Sequence, residues 1–207
     1  TGVQTCALPI VRYQGAFRLP EGGERPKTFA YGGNAMTFRP GGDSSGAADG
    51  FSGSLFITGH ERIAYGEVPD GDQVAEVTIP KPSLSRDVTA LPRARFLQPF
   101  HDVAKGHFKA FEELPTVRLQ YLDIPETGPK IHVAWGQHFE PETPAPTHGW
   151  FGPDLTRPDF RGEWFIEGRS FYATNSYMME IPADWAAANV QGRRLGTGRF
   201  RDGGWSG

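Results

Sequence analysis

The sequence predicts an all-β fold, a partial β-propeller of two to three four-stranded antiparallel blades with a β-sandwich as the alternative, on three observations. Apolar residues come in short runs enriched in β-branched and aromatic types, separated by Gly, Pro, Asp and Asn, with helical spacing nearly absent. Glycine and proline, 27 and 18 of 207 residues, punctuate the chain too often for long elements, while 13% aromatic residues is too many for disorder. A hairpin pattern also recurs within the chain, as it does where each unit buries its face on a neighbour.

Taken in order, residues 1–10 (TGVQTCALPI) resemble the in-frame translation of a sequencing adapter and are expected to be an artefactual extension. The domain is expected over 11–207, incomplete and truncated at both ends. Strands are predicted over 28–38, 54–59, 73–79, 117–124, 130–137, 163–167, 170–174 and 177–181. A short helix is predicted over 182–189, where Pro182 opens an alanine run that stops at Asn189, and a weaker helical pattern covers 101–113.

The repeat pairs Ser54-Leu55-Phe56-Ile57-Thr58-Gly59 and the later Glu76-Val77-Thr78-Ile79-Pro80 with Ser170-Phe171-Tyr172-Ala173-Thr174 and Glu180-Ile181-Pro182. Each copy reads as a strand, a turn and a second strand closed by Ile-Pro, a place that suits a residue with no N–H for the ladder. Leu122-Asp123-Ile124-Pro125 is a weaker third copy, and the Gly32-Gly33 opening recurs at Gly203-Gly204. Opening glycines, an inner strand, a Ser-aromatic strand and an outer strand make the plan of a propeller blade.

On these segments, Tyr31-Gly32-Gly33, Ser54-Leu55-Phe56 through Gly59-His60, and Glu76 through Ile79-Pro80, the chain resembles uncharacterised secreted bacterial proteins of propeller type. The resemblance covers 29–80 and 164–207 best. It implies the propeller fold and an extracytoplasmic location, secreted or periplasmic, and says nothing of activity.

Composition narrows the partners. A net charge of −3 lacks the basic excess that nucleic-acid phosphates require. No run approaches the ~18 apolar residues of a membrane span. The one cysteine, Cys6, lies in the suspected extension, which leaves the rest without a disulfide framework or thiolate metal site.

Two groups of residues carry candidate chemistry. The strand over 54–59 delivers His60 and Glu61 into a loop, and the strand over 130–137 delivers His138 and Glu140. If both are second strands of their blades, the two loops open on one propeller face, where ligands are bound by loops on a rigid frame. A histidine just past a strand otherwise serves as a turn residue bonded to backbone. His60-Glu61 is no zinc-protease motif, because position 64 is Ala64. The second group is the long loop 147–164, with His148, Trp150, Phe151, Asp154, Glu163 and Trp164. Its aromatics suit a sugar ring, or else cap a seam between blades; Trp135, alternating with Val133, is expected in the core.

The leading expectation is a module binding a glycan or similar polar ligand through His60, Glu61, His138, Glu140 and Trp150. The alternative is a glycoside hydrolase or polysaccharide lyase drawing on Glu61, Glu140, His148, Asp154 and Glu163, whose carboxylates would need unequal proton affinities. A propeller for protein partners is a third reading. No metal site or cofactor is expected, although Asp43, Asp49, Asp70 and Asp72 lie in Gly-rich loops of a kind that can hold calcium, or serve as solvated turns. Phosphate-loop, dinucleotide and nucleophile-elbow motifs are absent.

Overall fold

The structure, a computed structural model, describes residues 12–62, 70–107, 114, 116–136, 146–166 and 177–198. Its strands are β1 (Met36–Arg39), β2 (Gly50–Thr58), β3 (Val74–Pro80), β4 (Phe96–His101), β5 (Thr116–Ile124), β6 (Gly128–Gly136), β7 (His148–Phe151), β8 (Arg161–Trp164), β9 (Tyr177–Glu180) and β10 (Leu195–Gly198). Two short helices accompany them, α1 (Gly46–Asp49) and α2 (Ala183–Asn189). The fold is all-β, with three antiparallel sheets ordered β1-β2-β3-β4, β5-β6-β7-β8 and β10-β9, none of them closed.

The two four-stranded sheets are meanders, so each strand pairs with its neighbour in sequence. The side-chain period of a strand then sorts residues by face. In β6, Ile131, Val133 and Trp135 point into a core shared with Phe56 and Val74 of the first sheet and Phe151 of β7. Each of these large side chains, buried to within a few per cent, contributes ~1.5–3 kcal/mol on leaving water. β3 is buried along nearly its whole length, because a second apolar cluster, Ile57, Val77 and Ala94 with Phe17, Leu19 and Phe29, covers its other face. The opposite face of the second sheet is covered in part by the third unit, where His148 Nε2 meets Thr197 Oγ1 of β10 at 2.8 Å. The sheets therefore lie in series, a plan that fits a partial propeller and, with the third sheet set aside, a two-sheet sandwich.

Polar bonds tie the first two sheets. The Tyr121 backbone N–H of β5 donates to Thr37 Oγ1 of β1 at 2.7 Å. Gln98 of β4 donates through Nε2 to the Glu76 carboxylate and to Pro153 O, and accepts from Leu155 N–H at 2.8 Å. Glu76, almost fully buried, also takes hydrogen bonds from Ser54 and Arg39.

Several boundaries differ from the sequence expectation, each for a local reason. The strand predicted over 28–38 shrinks to β1, because Gly32 N–H closes a turn on Phe29 O and Tyr31 and Gly33 have φ of 53° and 84°, which no extended strand permits. Of the helical pattern over 101–113, residues 101–106 form the end of β4 and a turn, in which Asp102 accepts from Ala104 and Gly106 N–H, a 3-10 turn opens at His107, and 108–113 lie outside the described residues. The long loop 147–164 contains β7 and β8. Gly149 and Gly162 bring these strands close, since a Cβ on Gly162 would fall 2.4 Å from the Gly149 Cα. β4 carries Pro99 and occupies the sheet edge, a place where a strand tolerates it.

The internal repeat lies only partly within the described residues. Residues 54–58 and 74–80 belong to β2 and β3, adjacent strands as expected, whereas 170–174 lie outside the described residues. β9 pairs with β10 and packs on β5, the first strand of the second sheet. Pro125 follows β5, likewise a first strand. Ile-Pro thus falls at the ends of strands of different rank, a position that suits a residue with no N–H to donate.

Candidate functional site

The strand-end expectation holds at the level of topology. β2 and β6 are each the second strand of a four-stranded sheet. Leu114 N–H donates to Arg62 O, just past β2, at 2.8 Å, and Thr116 at the start of β5 pairs with Gly136 at the end of β6. The ends of β2 and β6 therefore share one end of the molecule. His138 and Glu140 lie outside the described residues.

At this end His60 is 1% exposed. Its Nδ1–H donates to Ala30 O at 2.7 Å, since a carbonyl can only accept, and its Nε2 lone pair meets no partner among the described residues. Burial keeps the ring from presenting itself to a ligand from solvent. Glu61 is partly buried and donates its backbone N–H to Tyr31 O. Opposite His60, Asp72 donates its backbone N–H to His60 O at 2.8 Å and accepts from Arg62 N–H on Oδ2 at 3.1 Å. Burial pushes the Asp72 carboxyl up to about 7, and the Glu61 charge adds to the rise, against the opposing pull of Arg62. Burial likewise lowers the Arg62 guanidinium.

In the second candidate group the side chains disperse. Phe151 is fully buried in the core, and so is Trp135, as expected. Trp150 and Trp164 form a tilted pair, ring centroids 6.5 Å apart, on the face of the second sheet away from the core, but Lys130 Nζ sits over Trp150 at 4.9 Å. His148 is held between Thr147 Oγ1 and Thr197 Oγ1 at 2.6 and 2.8 Å. Burial, helped by nearby His132, drives it down to about 4, so at neutral pH it carries no proton to give as an imidazolium. Asp154 closes a turn, accepting from Thr156 and paired with Arg157, which holds its carboxyl below the usual range. Glu163 pairs with His107 at 3.0 Å. Asp154 and Glu163 are thus each held by a different basic partner.

Of the aspartates weighed for calcium, Asp70 and Asp72 both face Arg62 and Asp43 stands apart from them. Asp43 accepts from Ser45 near the start of β2, and Asp72 stands beyond its far end. Asp70 lies in an exposed turn, and the side chain of Asp49 is outside the described set. Among the described residues no group of three or more histidine, cysteine or acidic side chains could hold a metal ion.

A different place gathers polar groups. β1 packs against β5 and β5 against β9, so strands of all three sheets converge. Between them opens a cleft of about 460 Å³ lined by Met36, Thr37, Phe38, Pro40, Gln120, Tyr121, Asp123 and Glu180, within the range of small-molecule sites. Its walls hold two carboxylates, an amide and a phenol beside half-exposed Met36 and Phe38. Tyr121 bonds both Asp123 and Arg39, and burial together with the Asp123 charge raises its phenol. Glu180 is paired with Arg194. The sequence signal for this cleft was faint: polar Gln120 and Asp123 alternating with apolar residues of β5, with nothing to say that β1 and β9 would meet it.

No family model, curated protein or solved structure matches this chain.

Proposed function

We propose that the chain is an extracytoplasmic binding module that takes a glycan or a similarly polar, hydroxyl-rich ligand in the cleft between β1, β5 and β9. The observation that carries this reading is the cleft itself, where planar hydrogen-bonding groups of Gln120, Asp123 and Glu180 stand beside the rings of Tyr121 and Phe38. Sugars are recognised by that combination, because planar polar groups pair with vicinal hydroxyls while an aromatic ring covers the C–H face. Arg39 and Arg194 brace Tyr121 and Glu180 from outside, which limits the side-chain entropy lost on binding. The export part of the reading rests on the sequence resemblance.

The test is affinity electrophoresis against a polysaccharide panel, followed by calorimetry with the retained sugar. Retention is expected without new reducing ends, and Asp123→Asn or Phe38→Ala should each weaken binding about tenfold, equivalent to ~1.4 kcal/mol. Retention unchanged in both variants would move the site elsewhere, and release of reducing ends would make the chain a hydrolase.

A further inference from the structure

We infer that the groove between the β5–β6 turn and the segment joining α2 to β10 is a second ligand site, for a small amphiphilic monoanion: one carboxylate on an apolar body. It differs from the cleft in position and chemistry. Leu122 and His132 project into it from the face of the second sheet opposite the core, Ala183 opens α2 above them, and Leu195 begins β10. This open groove has a volume of about 610 Å³, again within the range of small-molecule sites. Leu122, Ile124, Pro125, Ala183 and Leu195 make its walls mostly apolar, which suits an alkyl or aromatic body.

Charge decides the head group. Arg193 stands at the edge of the groove, held by the neutral Gln191 Oε1 at 2.9 Å and Val190 O at 3.4 Å, and meets no carboxylate among the described residues. Arg194 beside it is already committed to Glu180 and Ile181 O. The remaining charge on the rim is Glu126, in the turn between β5 and β6. An anion placed at Arg193 thus gains a guanidinium that no internal carboxylate has neutralised, in the planar geometry that carboxylates fit. His132 adds a hydrogen bond. Its ring lines the groove and makes none with the described residues, and burial beside Lys130 keeps it neutral, with one N–H to donate. A cationic ligand would meet Arg193 unfavourably, and a neutral one would forgo the ion pair.

Calorimetric titration of the intact chain with decanoate, decanol and decylamine tests the assignment. Decanoate should bind one-to-one, at least tenfold tighter than the other two. Arg193→Ala should erase that preference while leaving decanol binding unchanged, and Ala183→Trp, which fills the groove, should abolish binding of all three with the circular dichroism spectrum intact. Equal binding of the three probes, absence of decanoate binding, or full decanoate binding by a folded Ala183→Trp variant would overturn it.

Discussion

Asp72 and His148 are two buried titratable side chains whose proton affinities move in opposite directions for the same reason, the cost of a charge away from water. Asp72 holds its proton up to about 7 in the fold against an ordinary 3.8, so folding takes up a proton between those values. Its contribution to stability is greatest below about pH 4 and declines as pH rises through 7. His148 titrates near 4 in the fold against an ordinary 6.5. Its contribution is complete above about pH 6.5 and is lost as pH falls through 4. The two slopes oppose each other in one window and mask one another. Asp72→Asn should therefore leave a protein more stable at pH 7 than at pH 4.5, and His148→Gln the reverse, read by guanidinium unfolding at both pH values. Identical pH profiles for both variants and the parent would contradict the account.

The elements were legible where the side-chain period was long enough to read, and the functional surfaces were not. β2, β3, β5 and β6 run seven to nine residues each and show β-branched or alternating patterns, so sequence placed them within a few residues. β7 and β10 have four residues apiece with glycine inside or at the end, too short for a period to emerge, whereas β8, also four residues, overlaps the strand expected over 163–167. Trp135 declared its burial by alternating with Val133; Phe151 did not, because the strand that buries it went unrecognised. The cleft was invisible because its residues come from three sheets, and only long-range packing joins them. Among the ties between elements, Gln98 is predicted to matter most. Its amide serves Glu76, Pro153 and Leu155 together, so Gln98→Ala strands a buried N–H and loosens β4 from the loop between β7 and β8. A loss of about 2 kcal/mol is expected in denaturant unfolding, with the strand signal retained; a loss below ~0.5 kcal/mol, the usual scatter of surface substitutions, would show the tie to be incidental.

At the scale of the molecule, three antiparallel sheets in series bring β1, β5 and β9 to one place, and that convergence assembles the cleft. The ends of β2 and β6 also share one end, yet His60 and Asp72 there are buried, with Glu61 half-buried beside them. The functional reading thus rests on the strand convergence. Amide chemical-shift mapping of the labelled chain during titration with a retained oligosaccharide tests it most directly. The account predicts that the largest shifts fall on Thr37, Phe38, Gln120, Tyr121, Asp123 and Glu180, the residues of three separate sheets that line the cleft. Shifts confined to the ends of β2 and β6, with those residues silent, would contradict it.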